Sequence, residues 1–354
     1  MLAVRGGLPR GRGWLAAHLD AVLYGLLAGS ALAGAAFARR GRWRGGVCCW
    51  WGSLVELGVM LSDYRFRANQ HYMALLALVV FVALPGRRDV VRLVVGAFYV
   101  GAGLLKLDME WISGAALYKP LWFFTTPGWV QAACVYVIVL ELVVVWGLFA
   151  RRRWVFWGAL SQFGVFHVFS WPVVGAFYPL VMFGLLAIFP LCRLWPAPEP
   201  AARSLLVRLW TGRAAPWGYG AVVVFAALQC LPVVIPGDEA VTGEGRLAAL
   251  HMFDARVVCQ SQALVHDGWR APRVVRLDGA WSHRIGCDPW VVLSRARAVC
   301  SRAAGVRVDL RHYAGRASDG LRVVAAVDDV CQRMPDYDAF GRNDWILLDG
   351  APWP

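Results

Sequence analysis

Residues 128–150 read GWVQAACVYVIVLELVVVWGLFA, twenty-three residues with Glu141 as the single charged side chain. A helix crosses the hydrocarbon core of a bilayer in about 20 residues, so this run has the length and character of a span. Further apolar runs bounded by charge fall at 14–38, 46–62, 71–86, 93–107, 154–172, 174–192 and 217–235. Helices satisfy their own backbone groups and are the economical structure for such runs in lipid. The expected fold is an all-α polytopic membrane bundle of about eight transmembrane helices over residues 1–235. A small extracytoplasmic α+β domain is expected to follow at 236–354.

Composition agrees with two solvents for two regions. Hydrophobic residues make up 59% of the chain and charged residues 17%, with a mean hydropathy of +0.51. A water-facing surface needs more charge than that to stay hydrated. The formal net charge of +13 does not point to nucleic acid, because the arginines sit in short loops between apolar runs rather than on one amphipathic face. Fourteen of them occupy the loops 39–44, 87–92, 151–153 and 193–213, against six basic residues, Arg5, Arg10, Arg12, Arg65, Arg67 and Lys119, in the alternate ones. Positive charge is retained in the cytoplasm during insertion, so the arginine-rich loops are expected inside and the tail from Pro236 outside. The stretch from Trp14 to Ala38 is long for a cleaved signal sequence and is read as a first span. The expected location is the cell membrane, multi-pass, with the C-terminal domain extracytoplasmic.

The tail contains four cysteines, Cys259, Cys287, Cys300 and Cys331. An even number in a small external domain suits disulfides, in any of three pairings. Metal ligation is the rival, but no CxxC spacing appears and the histidines do not bracket the cysteines, so no metal is expected. Within the tail, Val257–Val265, Arg273–Leu277, Val306–His312 and Leu321–Val327 read as strands. Pro289–Ala304 reads as a helix with Asp288 as its N-cap.

Charges inside spans are expensive, so each is a functional candidate to be weighed against a structural ion pair. The candidates are His18, Asp20, Glu56, His71, Lys106, Asp108, Glu141 and His167. Gly96, Tyr99, Gly103 and Lys106 are spaced three, four and three apart, which places them on one helical face where a neighbouring helix or a flat ligand could approach closely. A desolvated lysine can serve as a general base. The plainer reading has Lys106 reaching the interface and pairing with Asp108 or Glu110. Likewise, His71 fits an interfacial helix start, and Glu141 or His167 fits interhelical hydrogen bonding.

The order of these residues resembles the vitamin K-dependent γ-carboxylase family and its bacterial HTTM-domain relatives. Tyr99-Val-Gly-Ala-Gly-Leu-Leu-Lys-Leu-Asp-Met-Glu-Trp-Ile-Ser-Gly114 is similar to the family's Tyr-x-x-Ala-Gly-x-x-Lys-Leu-Asp-x-x-Trp-x-x-Gly segment. Asn69-Gln-His-Tyr-Met resembles its Asn-His-x-Tyr-Leu segment, with His71 displaced by one position. Phe166-His167 followed by Gly175-Ala-Phe177 resembles a histidine-bearing span entering a Gly-x-Phe turn. The resemblance covers about residues 14–235. It implies Lys106 as the base that deprotonates reduced vitamin K or a related quinol, with His71 assisting. It implies Tyr99, Gly103, Glu141 and His167 around the cofactor, and O2 and CO2 as co-substrates. Oxygenation of the quinol to an epoxide would generate a strong base that abstracts a proton ahead of carboxylation. Leu105 stands where the family often has a second lysine, and the short tail departs from the family's large lumenal portion. The implied partners are membrane lipids and a peptide or protein substrate outside the cytoplasm. The alternative from another class is a non-enzymatic membrane scaffold, or a lipid- or quinone-binding protein, whose disulfide-bonded tail binds a partner.

Overall fold

The computed structural model describes residues 69–83, 87–117, 126–174, 177–194, 215–245, 249–250, 257–268, 271–277, 286–301, 305–316, 318–338, 341–348 and 350. The expected spans at 14–38 and 46–62, with His18, Asp20 and Glu56, lie outside them. Contacts separate the chain into two compact units, with described residues up to Ala227 in one and from Leu228 onward in the other.

The first unit is helical. It contains α1 (Asn69–Ala83), α2 (Arg87–Leu105), α3 (Met109–Ser113), α4 (Pro127–Leu142), a 3-10 helix (Val144–Phe149), α5 (Arg153–Val174) and α6 (Phe177–Leu194). The boundary with the second unit falls within α7 (Ala215–Val234). Local chemistry sets several of the ends. Asp108 caps α3 by accepting a 2.8 Å hydrogen bond from the Glu110 amide, and Gly114 closes it in the left-handed region at φ 81°. Pro127 opens α4 at the first helical position, where its missing N–H removes no helical bond. Phe98, Tyr99, Phe156, Phe163, Met182 and Phe189 form the fully buried interior.

The structure corrects the eight-span, all-α expectation. Among the described residues, one helix, Pro127–Phe149, is long and apolar enough to cross a membrane. A four-stranded antiparallel sheet accompanies nine α-helices in the described chain. Apolar runs and helix bounds do not coincide, because hydropathy ignores where helices begin and end. The run at 71–86 yields a 15-residue α1, and the run at 93–107 belongs to a helix that starts among Arg87, Arg88 and Asp89. The runs at 174–192 and 217–235 lie in α6 and α7, whose stretches Tyr178–Leu194 and Tyr219–Val234 are apolar.

After the end of α7, the second unit contains α8 (Glu239–Thr242), capped by Asp238. Strands β1 (Val257–His266), β2 (Arg273–Arg276), β3 (Arg307–Arg316) and β4 (Arg322–Val327) form an antiparallel sheet in the order β2-β1-β3-β4, with α9 (Pro289–Cys300) packed across β1 and β3. Val257, Ser261, Ala263 and Val265 alternate inward along β1, as period-two side-chain direction requires. Val292, Leu293 and Ala296 of α9 meet Ala263, Val265, Val308 and Leu310 in the core. Asp288 caps α9 through a 3.0 Å bond from the Trp290 amide. Two disulfides, Cys259–Cys287 and Cys300–Cys331, anchor the two ends of this helix, the first to β1 and the second to the segment after β4.

Candidate functional site

Lys106 follows the last residue of α2, and its amide bonds back to the Gly103 carbonyl in a closing turn. Its side chain turns inward, leaving the residue 1% exposed. The ammonium Nζ donates to Glu141 Oε2 at 2.6 Å and to the Ala102 carbonyl at 3.3 Å. It also lies 5.2 Å from the centre of the Trp111 ring. Glu141 is equally buried. Two opposite charges removed from water hold each other only where geometry and extra hydrogen bonds offset the lost hydration. Here a short contact, a backbone acceptor and an aromatic face supply that offset. The partner of Lys106 is therefore Glu141, across 35 residues of chain. Asp108, expected as one possible partner, instead caps α3.

Gly103 makes this pairing possible. A Cβ there would stand 2.8 Å from Leu142 Cδ2 and 3.0 Å from Glu141 Cβ, so the absence of a side chain lets α4 bring its carboxylate to the lysine. Gly96 does the same beside Phe149, whose ring would be 3.0 Å from an added Cβ. The glycine face of α2 is thus occupied by a neighbouring segment of chain.

Tyr99, on the same helix, is hydrogen bonded through its hydroxyl to His167 Nε2 on α5 at 2.9 Å. Phe163 lies 4.3 Å from the Tyr99 ring, centre to centre. Phe166, Tyr178 and Phe183 surround the imidazole at 4.8, 6.0 and 5.9 Å. The other ring nitrogen, Nδ1, is buried and has no hydrogen-bond partner. It donates if the tyrosine hydroxyl donates to Nε2, and accepts if Nε2 carries the proton. An unmatched polar atom among aromatic rings is unusual and suits one hydrogen bond to a neutral ligand.

Of the residues singled out from sequence, Lys106 bonds Glu141, Tyr99 bonds His167, and Gly103 underlies the first pair. His71 lies buried on α1, a helix packed against α2 and α6. Trp111 and Tyr178 were not singled out. Trp111 stands in the segment that carried the family resemblance, which was its available signal. Tyr178 had none, because its neighbour is decided by how α5 and α6 pack. Among the described residues no group of three or more His, Cys, Asp or Glu side chains is arranged to hold a metal ion.

The second unit contains a contrasting histidine. His312 on β3 is fully buried; its Nε2–H donates to the Cys287 carbonyl at 3.0 Å, and Nδ1 accepts from the Ser261 hydroxyl at 2.8 Å. A carbonyl can only accept, so this tautomer follows from the partners. Burial pulls its pKa down to about 4, only partly countered by the bond to Cys287. Glu244 is also buried, which raises its pKa despite hydrogen bonds from the Asn343 amide and side chain.

No family model, curated protein or solved structure matches this chain.

Proposed function

We propose that this chain is a membrane-embedded enzyme of the vitamin K-dependent carboxylase type, with Lys106 as general base toward a reduced quinone. The observation that carries the reading is the Lys106–Glu141 pair, closed to water at the end of the helix that presents Tyr99 to His167. A reduced vitamin K or related quinol, together with O2 and CO2, would supply the reducing power and the one-carbon unit. Lys106 accepts a proton only as a free amine, and Glu141 at 2.6 Å is positioned to take the proton that the ammonium must first release. Exclusion of water lowers the advantage of the charged pair over the neutral one and protects a strong base from quenching. His167 offers Nδ1 to an oxygen of the ligand, while Tyr99 orients the ring. His71 is assigned the assisting role by the sequence resemblance alone.

The bilayer location rests on the outer surface of the helical unit. Only 28% of the most apolar part of Pro127–Phe149 is buried, whereas the core helix of a water-soluble protein would be mostly buried. Val135, Val139, Val143 and Trp146 of that segment face outward, as do Val165, Val168 and Phe169 of α5. Lipid is the solvent that such a surface fits. The two disulfides favour an extracytoplasmic tail, because thiols stay reduced in the cytoplasm.

Purified protein given reduced vitamin K, O2 and CO2 should form the epoxide, and Lys106→Ala should abolish it. Normal turnover by that variant would overturn the assignment. The second reading, a non-enzymatic scaffold or lipid- or quinone-binding protein with a partner-binding tail, is favoured by the mutual satisfaction of Lys106 and Glu141. On that reading a Lys106→Met/Glu141→Leu double variant retains folding and every measurable property of the protein.

A further inference from the structure

One end of the helical unit gathers arginines in a way the quinone site does not use. Arg92, in the second turn of α2, sits 5.5 Å from the ring centres of both Phe149 and Phe189. It donates to Asp89 at a long 3.4 Å, and its buried Nε has no partner. Arg193, in the last turn of α6, donates to the Ala150 and Arg151 carbonyls at 3.0 and 2.8 Å and lies over the Phe156 ring. It is close enough to Arg92 for the two charges to repel. These bonds bring the start of α5 to the same place, and Arg151, Arg152 and Arg153 there are exposed. Trp154 and Trp157 follow immediately, 72% and 42% exposed.

Among the described residues, Asp89 is the one carboxylate in direct contact with any of these five guanidinium groups, and it contacts Arg92. Clustered cations on a partly apolar floor are unfavourable unless an anion joins them. Planar guanidinium donors match phosphate oxygens. Exposed tryptophans beside arginines at a helix start are the side chains that settle at the headgroup level of a bilayer. From this convergence we propose that the Arg92–Arg193 end binds the phosphate headgroup of an anionic glycerophospholipid, with Arg151, Arg152 and Arg153 as its outer contacts. The proposal rests on the bilayer reading above and is independent of the quinone chemistry.

The test titrates the full-length protein in mild detergent with short-chain phosphatidylglycerol, short-chain phosphatidylcholine or glycerol 3-phosphate, followed by tryptophan fluorescence. Each arginine near an anionic headgroup contributes a factor of about five. Phosphatidylglycerol should accordingly bind on the order of a hundredfold more tightly than phosphatidylcholine. An Arg151→Gln/Arg152→Gln/Arg153→Gln variant should lose most of that preference, and Arg92→Gln a smaller part. The corresponding triple Lys variant should keep much of the preference, which separates lost charge from misfolding. Equal binding of the two lipids overturns the headgroup inference and leaves the bilayer reading standing. Glycerol 3-phosphate binding as tightly as phosphatidylglycerol overturns it in favour of a soluble phosphate. A chain that binds neither lipid and remains monodisperse without detergent overturns the bilayer reading as well.

Discussion

The two units each bury a histidine, and they treat it differently. In the sheet unit His312 has both ring nitrogens satisfied, by Ser261 and by the Cys287 carbonyl. In the helical unit His167 is bonded through Nε2 to Tyr99, while Nδ1 is left without a partner. A fully matched polar group in a core contributes to a unique packing arrangement. An unmatched one is a standing penalty that a ligand can relieve. The same contrast extends to the covalent level: the sheet unit is held by two disulfides, whereas the helical unit holds a buried Lys–Glu pair next to its open hydrogen-bonding position. Fully satisfied and cross-linked groups therefore concentrate in the second unit, and the unmatched histidine nitrogen and buried ion pair in the first.

The severest challenge to this contrast is Lys106→Ala, which leaves Glu141 buried without its cation. It should destabilise the helical unit by about 3–5 kcal/mol, read from thermal unfolding, and Lys106→Met/Glu141→Leu should recover most of that loss. If the single variant melts like the parent, the pair is not the anchor described here. Cys300→Ser/Cys331→Ser opens a loop across a sequence separation of 31 residues. The expected loss is roughly 3–4 kcal/mol on the chain-entropy scale, measured as earlier proteolysis of the tail.

His312 adds a pH dependence. Its folded pKa of about 4 lies below the ordinary 6.5, so the unfolded chain binds the proton more readily. The associated stability is present above about pH 6.5, declines as pH falls through that value and is gone near about 4. The expected span is on the order of 3 kcal/mol, followed by denaturant unfolding of the tail signal between pH 7 and 4. A flat profile would remove the distinction between the two histidines. The smallest change is expected from His167→Phe, which deletes one hydrogen bond and should lower stability by only about 1 kcal/mol. Its effect on quinol binding should be much larger, and equal effects on both would show a merely structural histidine.

Parts of this organisation were legible in the chain. Alternation along Val257–Val265 and the other three strand-like stretches marked segments that form β1 to β4, because a half-buried strand writes its two faces into adjacent residues. Asp288-Pro289 announced the start of α9 through a side-chain acceptor and a proline that lacks a donor. The face of Gly96, Tyr99, Gly103 and Lys106 was readable from helical spacing. The eight spans were not a sound reading, because composition records apolarity but not where a helix starts and stops, as at Asn69–Ala83, and one helix among the described residues, Pro127–Phe149, is long and apolar enough to cross a membrane.

What the sequence determined by itself was local: which stretches alternate, which residues cap, which helical face is small, and that four cysteines in the tail are available to pair. Tertiary structure alone decided the pairings, Cys259 with Cys287, Cys300 with Cys331, Lys106 with Glu141 and Tyr99 with His167. The physical reason is distance along the chain. Spacing restricts neighbours within a turn or a strand, but groups 28 to 68 residues apart meet only when packed elements bring them together.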